Sequence, residues 1–381
     1  MNVPVSFCDR PFAKKHFLAI VDYASKNNPF YRNRFTDSGE LPIIDRITFL
    51  EHNDEILNNN PVTASTSGST GIPVRISVSA ERDQMNRDDD IRFVRWLGGP
   101  LPCTRIIHSG SDDKRAWLLD VKAPIDEQIA FIQRRYSETG AVALTTYPTN
   151  AEMLAREVLD RGIDMSFIQR FGVFSEAFET YQKEVISRAF PNSQIWSTYS
   201  SMEFGMIAGQ CPYEPDYHHI MAHKLGVEIL NKDDEKCKPG EMGRLVITDY
   251  FNRQSPLIRY EIGDYAIGQP CPCERIKLPA FRKIVGKVRG ALIHRGGRRV
   301  VFTALSVALR DLPGMRQYQV IQDNIEDFTV KIAASQQLDD EIRLVFNKHF
   351  GYIPKLLKVQ YVNSIPREAN GKFHASICMI K

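Results

Sequence analysis

Thr66-Ser67-Gly68-Ser69-Thr70-Gly71-Ile72-Pro73 is the stretch on which the reading of this 381-residue chain turns. It follows Asn58-Asn59-Asn60-Pro61 and precedes the alternating run Val74-Arg75-Ile76-Ser77-Val78. Glycine lets backbone N–H groups converge on one point without a Cβ in the way, and the hydroxyls of Ser67, Ser69 and Thr70 add donors, so such a loop can wrap a phosphate. It lacks the lysine of the G-x-x-x-x-G-K-[ST] loop, which removes that NTPase class. A polar turn in a solvated loop accounts for the same residues equally well.

The chain is too long for one comfortable hydrophobic core, so two or more domains are expected. Its 43% hydrophobic and 25% charged content is that of an ordinary soluble globule. The net charge is only +3, although Arg282-Lys283, Lys287, Arg289, Arg295 and Arg298-Arg299 form a local basic run. That run lacks interleaved aromatics and any nucleic-acid-reading motif, so no nucleic-acid partner is expected. No apolar stretch approaches the ~20 residues that cross a bilayer, and no h-region precedes position 30, which gives a cytoplasmic, non-membrane expectation. Seven cysteines with no regular framework agree with a reducing compartment.

Going outward from the loop, helical periodicity over 10–35 ends at Asn27-Asn28-Pro29, and Asp45 is a cap for 47–57, which together look like scaffold. Downstream, Val74 to Val78 alternates as a half-buried strand, Ser79 caps a helix over 80–97, and Arg105-Ile106-Ile107 is a strand ending at His108-Ser109-Gly110. An α/β rhythm follows. A strand over 141–148 leads to a helix over 151–160 capped by Asn150, and a strand over 167–174 leads through Ser175-Glu176 to a helix over 177–189. Ile195-Trp196-Ser197-Thr198 then runs into the polar turn Tyr199-Ser200-Ser201-Met202-Glu203. Strands dominate from 225 to 265, and a composition change places a hinge near 286–290 before a smaller α+β domain.

Taken together, the loop 66–73, Tyr199-Ser200-Ser201-Met202-Glu203, Ile258-Arg259-Tyr260-Glu261-Ile262-Gly263-Asp264, Gly286-Lys287-Val288-Arg289-Gly290 and Pro366-Arg367-Glu368-Ala369-Asn370-Gly371-Lys372 resemble the adenylate-forming acyl-CoA synthetase superfamily. With Asn28-Pro29-Phe30-Tyr31-Arg32, Ser175-Glu176 and the cysteine arrangement below, the chain looks most like the phenylacetate-CoA ligase branch.

The resemblance implies an α/β fold: a large multi-subdomain N-terminal domain for ATP and acyl substrate, residues 1–286, and a small mobile α+β lid, residues 287–381. It implies an AMP-forming ligase that activates a small carboxylic acid, aromatic acids among the candidates, with ATP and Mg2+, then passes the acyl group to CoA or a carrier-protein thiol. An amine or other nitrogen nucleophile as acceptor is the first alternative, and a nucleotide-binding regulatory pseudoenzyme the second. A homodimer is the assembly considered.

By the same resemblance, Ser67, Gly68, Ser69, Thr70 and Gly71 hold the β- and γ-phosphates, Glu203 holds Mg2+, and Asp264 accepts from the ribose hydroxyls. Ser175, Glu176, Tyr199 and Ser200 join the nucleotide site, with Tyr199 against adenine. Lys372 reaches the reacting oxygens from the lid, and Thr70, Glu203 and Lys372 form the catalytic set. The family's hinge pattern is Gly-Arg-x-x-Asp. Here Lys287 stands where that arginine does and keeps the charge without the bidentate fork.

Cys211, His218, Cys271 and Cys273 supply one imidazole and three thiols, a set suited to a structural tetrahedral Zn2+. His219 competes with His218, and three unrelated buried cysteines are the alternative. For the acyl group, His108, Tyr147 and Phe174, with Trp117 further out, are the candidates, because their strands end near the site.

Overall fold

In this computed structural model the described residues are 11–32, 34, 41–65, 74–109, 115–176, 178, 180–287, 292–297, 299–300, 302–366 and 375–380. The helix Pro11–Asn27 buries Ala13, Phe17, Ile20, Val21 and Ala24, the spacing that puts one helical face against a core. Asp45 caps the next segment, its Oδ1 accepting from the Thr48 N–H at 2.8 Å, but 47–57 is not one helix. It divides at His52 into Arg46–Glu51 and Asn53–Leu57.

Strands β1 (Ala64–Ser65) and β2 (Arg75–Ile76) pair antiparallel on either side of the Gly/Ser-rich stretch, and 66–73 itself lies outside the described residues. The alternation through Val78 yields only a two-residue strand. The next amides bond elsewhere, Ser77 N–H to Ser255 Oγ at 3.1 Å and Val78 N–H to Thr63 Oγ1 at 2.8 Å. Ser79 then caps the helix Ala80–Trp96 through the Arg82 N–H.

The body is an 11-stranded sheet. Its strands are β3 (Cys103–Ile107), β4 (Leu118–Asp120), β5 (Ala143–Thr146), β6 (Arg170–Phe174), β7 (Gln194–Ser201), β8 (Gly205–Gln210), β9 (His218–Ile220), β10 (Leu225–Leu230), β11 (Met242–Asp249), β12 (Tyr260–Gly268) and β13 (Ala280–Lys287). The spatial order is β10-β11-β12-β13-β9-β8-β7-β6-β5-β3-β4. From β4 to β7 all neighbours are parallel, whereas from β7 to β10 all are antiparallel. Helices Ile125–Thr139, Pro148–Asp160 and Thr180–Ala189 make the parallel crossovers. Because β3 has β4 on one side and β5 on the other, the strand order reverses at β3, and ligands in open α/β sheets bind beyond the carboxyl ends at such a point.

One cap is corrected. Tyr147, not Asn150, is the N-cap residue of the Pro148–Asp160 helix, since Pro148 is pre-organised for the first helical position. Asn150 is inside the helix and buried, donating to Gln128 Oε1 at 2.8 Å and Thr146 Oγ1 at 3.0 Å. The helix expected from 177 begins at Thr180.

The C-terminal part has its own sheet: β16 (Met315–Asn324), β17 (Asp327–Ala334), β18 (Leu356–Tyr361) and β19 (Ser376–Cys378), in the order β18-β17-β16-β19. A small hairpin of β14 (Leu292–Ile293) and β15 (Arg299–Val300) precedes it. Helices Phe302–Arg310 and Asp339–Phe350 pack with the sheet around Leu305, Val320, Phe328, Ile332 and Phe346. This part meets the parallel half where the Arg310 guanidinium lies 3.7 Å above the Tyr181 ring. Among the described residues no helix is long and apolar enough to cross a membrane.

Candidate active site

Parallel strands deliver their carboxyl ends to one edge, and here each end carries polar residues. β3 opens into His108-Ser109, β5 into Tyr147, β6 into Ser175-Glu176, and β7 into the turn at Met202-Glu203. Ser175 has φ 73°, left-handed backbone that a non-glycine residue adopts at a cost and that clusters at functional sites. Glu176 is already engaged: its Oε2 accepts from the Thr149 N–H at 3.0 Å and the Thr149 hydroxyl at 2.8 Å.

The turn after β7 is the focus. Tyr199 donates its phenol to Asp264 Oδ2 at 2.5 Å, joining β7 to β12 although three strands intervene in the sheet order. Burial first, and then the negative charges of Asp264 and Glu203, push the Tyr199 phenol well above its ordinary value, so it stays a donor. Asp264 is 6% exposed. So is Glu203, and among the described residues its carboxylate has no hydrogen-bond or ion-pair partner. A nearly buried carboxylate is costly unless something satisfies it, and a hard cation is a fitting partner. Ser200 stands beside Tyr199 and pairs with Met206 across the β7–β8 hairpin. The backbone of Lys287, at the end of β13, is in register with Asp264.

What holds this turn comes from residues far away in the chain, which no local pattern reveals. Arg82, 1% exposed on the helix after Ser79, donates from Nη2 to the Phe204 carbonyl at 2.8 Å, from Nη1 to Asn86 Oδ1 at 2.6 Å, and from Nε to Asp249 at 2.7 Å. Asn86 lies so close to Gly205, which has φ +63°, that an added Cβ would meet its Oδ1 at 2.3 Å. Only glycine fits there, which fixes the residue two places after Glu203.

Beyond the carboxyl ends of β3, β5 and β6, the Tyr147 hydroxyl accepts from the His108 N–H at 3.2 Å, and the Tyr147 and Phe174 rings are 5.4 Å apart. The three acyl candidates are therefore neighbours. The Trp117 ring is met by the guanidinium groups of Arg105 and Arg115. Ser67, Gly68, Ser69, Thr70, Gly71 and Lys372 lie outside the described residues.

The metal quartet forms with one exchange. Ligand atoms of Cys211, His219, Cys271 and Cys273 all lie within 4.8 Å of one another. His218 is not among them: adjacent strand residues point to opposite faces, and its Nε2 meets the Ser197 hydroxyl at 2.8 Å. Burial, then His219 and Lys183, push His218 down to about 4. His219 is lowered by burial as well, which keeps it in the neutral form that ligates metal, and its Nε2 is 3.5 Å from Cys273 Sγ. Burial first, and then the neighbouring thiols, push Cys271 up to about 12. Burial alone would raise Cys273 too, but the N–H groups of Ile276 and Arg275 outweigh it and hold that thiol below its ordinary value. Three thiols and one imidazole converging in this way fit a tetrahedral Zn2+.

Residues 292–378 match the family described as the CapK C-terminal domain. Over 269 residues the chain is 24% identical to Protein CapK of Staphylococcus aureus, an alignment covering 67% of this chain and 57% of that protein. The chain thus matches little more than half the length of this curated relative. Among solved structures, 2-hydroxyisobutyryl-CoA ligase in its postadenylation state superposes with a TM-score of 0.73 at 15% identity, covering 99% of this chain and 90% of that one. In its thioesterification state the same enzyme gives 0.63. Amide bond synthetase McbA of Marinactinospora thermotolerans gives 0.53 at 14% identity, covering 81% of this chain and 67% of that one. The chain therefore has the fold of the adenylate-forming ligases, a large α/β domain followed by a smaller C-terminal one.

Proposed function

We propose that this chain is an AMP-forming ligase that activates a small carboxylic acid with ATP and transfers the acyl group to CoA or a carrier-protein thiol. The observation that carries the reading is the meeting of Tyr199, Glu203 and Asp264 at the carboxyl end of β7, in the adenylate-forming fold. In this reading the acid's carboxylate oxygen attacks the α-phosphorus of ATP, the bond to the bridging oxygen breaks, and pyrophosphate leaves. The acceptor then attacks the acyl carbon and AMP departs.

Asp264 accepts from the ribose hydroxyls, and Tyr199, now bonded to Asp264, closes the adenine side. Ser175 and Ser200 border the nucleotide, and Glu176 steadies the neighbouring helix start through Thr149. Mg2+ held by Glu203 would offset charge on the phosphates. The loop Ser67-Gly68-Ser69-Thr70-Gly71 cradles the leaving pyrophosphate, and Lys372 arrives from a lid whose boundary we place between 286 and 287, with Lys287 near the nucleotide. His108, Tyr147 and Phe174 receive the acyl group. Cys211, His219, Cys271 and Cys273 hold a structural Zn2+ that ties the end of β8 and β9 to the segment after β12. On its motifs the chain stands near the phenylacetate-CoA ligase branch, which makes an aromatic acid a candidate.

Carboxylate-dependent ATP–pyrophosphate exchange tests this. We expect exchange with a defined acid, lost in Lys372→Ala and strongly reduced in Glu203→Gln. Retained ATP binding without exchange across a broad panel of acids would sink the ligase reading in favour of a nucleotide-binding regulatory protein. Supplying CoA, a carrier protein or amines after adenylation identifies the acceptor. An amine is the second reading, favoured by the likeness to an amide bond synthetase.

A further inference from the structure

We propose that His108, oriented by Asp120, selects acids whose acyl part carries a hydrogen-bond donor, a hydroxyl or an amine; this rests on the ligase reading above. β3 is the strand at which the order of the sheet reverses, and His108 is the first residue beyond its end. Asp120 closes the neighbouring strand β4, in parallel register with Ile107. His108 Nδ1 lies 3.2 Å from Asp120 Oδ2. The carboxylate is fixed by its surroundings: Oδ2 also accepts from the Ser109 N–H at 2.8 Å and the Ser109 hydroxyl at 3.2 Å, and Oδ1 accepts from the Lys122 N–H at 2.8 Å. Partial burial alone would raise the Asp120 carboxyl, but those N–H groups hold it below its ordinary value, so it is an acceptor only.

In the neutral imidazole an acceptor-only partner at Nδ1 puts the proton on that nitrogen and leaves Nε2 as a lone-pair acceptor. Among the described residues Nε2 has no partner, and the His108 side chain is 35% exposed. The rest of the acyl wall supplies little polarity. Tyr147 is 6% exposed, its hydroxyl accepts the His108 N–H, and its ring lies beside Phe174. One oriented acceptor nitrogen at a strand end whose backbone neighbour is the aromatic Tyr147 rewards a substrate that donates a hydrogen bond at that point and penalises one that leaves the nitrogen unsatisfied. Asp120 is a positioning residue, acting through the tautomer it imposes.

Exchange rates on matched acids test this. The probes are 4-hydroxyphenylacetate and 4-aminophenylacetate against phenylacetate, and 3-hydroxybutyrate against butyrate and acetoacetate. The wild type is expected to favour the donor-bearing acid by about tenfold in kcat/KM. His108→Leu should collapse that ratio towards one. His108→Asn should do the same, because its amide keeps the bond to Asp120 but lacks Nε2, and it serves should the leucine variant fail to fold. In Asp120→Ala no acceptor holds the proton on Nδ1, so the ring can present either a donor or an acceptor at Nε2, and the preference for 3-hydroxybutyrate over acetoacetate should fall about tenfold, towards the His108→Leu ratio. A merely structural aspartate would change kcat/KM for both acids alike and leave their ratio unmoved. Equal use of donor-bearing and donor-free acids by the wild type, or an unchanged ratio in both His108 variants, overturns the proposal while leaving the ligase reading standing. Absence of exchange with every acid, with ATP still bound, overturns both.

Discussion

The two halves of the large sheet treat their polar residues in opposite ways. In the parallel half every strand runs the same way, so β3, β5, β6 and β7 bring His108, Tyr147, Ser175 and Glu203 to a single edge. In the antiparallel half successive strands alternate direction, and that half brings little beyond Asp264 and the end of β13 to the candidate site. Many of its polar groups are closed on one another instead. Arg82 pairs with Asp249, Lys224 with Asp89 at 2.7 Å, and Arg259 with Glu228 at 3.1 Å, all well removed from solvent. Polar groups saturated by protein partners build architecture, whereas groups with an unused donor or acceptor at a shared edge are available for chemistry.

The contrast breaks most severely at Arg82. Arg82→Met leaves Asp249 buried without its cation and is expected to cost about 3–5 kcal/mol, measured by urea unfolding, because an unpaired buried charge has no compensation. If stability were unchanged, the buried pairs would not be the architectural element argued for here. Their pH dependence has a definite sign. Burial alone would raise the Asp89 carboxyl, but the hydrogen bond from His223 and the charge of Lys224 hold it below 3.8. Its contribution is therefore complete above the unfolded value of 3.8 and is lost as pH falls through the lower folded value. Acid titration of the unfolding midpoint should show little change from this group at neutral pH and a fall below pH 3.8.

Next in size is the metal quartet. Elemental analysis should find one zinc per chain, and Cys271→Ser or chelation should lower the thermal midpoint by roughly 5 °C. Unaltered melting after complete chelation would reduce the quartet to packed thiols. Tyr199→Phe comes third: loss of one hydrogen bond to a carboxylate should lower kcat/KM for ATP about tenfold. Because Asp264 is buried, the loss of this donor should also cost about 1–3 kcal/mol in urea unfolding, and that loss with kcat/KM unchanged would move Tyr199 from the open edge to the architectural class. Smallest is Arg310→Ala. Removing its contact with the Tyr181 ring should cost about 1 kcal/mol, read most directly as faster proteolysis between the two parts.

Much of the polar edge was legible because its signals are local. An apolar run leading to Tyr199-Ser200-Ser201-Met202-Glu203 is a strand followed by a turn, although the strand continues through Ser201 by pairing with β8 and the turn begins only at Met202, and Asp45 and Ser79 cap helices as their chemistry requires. The Asn150 cap failed because two signals competed within four residues, and the fixed φ of Pro148 won. His218 failed for a different reason. Two adjacent histidines have the same chemistry on paper, and only the face of β9 turned towards the Cys-Pro-Cys segment decides between them.

From the sequence alone came the α/β class, the polar strand ends, the cysteine set and the order of motifs, all of which depend on neighbours in the chain. Only the tertiary structure decided that Tyr199 bonds Asp264 across 65 residues, that Arg82 grips the carbonyl of Phe204 across 122, and that Asp120 orients His108. These contacts follow from strand order and register, which are fixed by how whole faces are buried, and no short stretch of residues encodes that on its own.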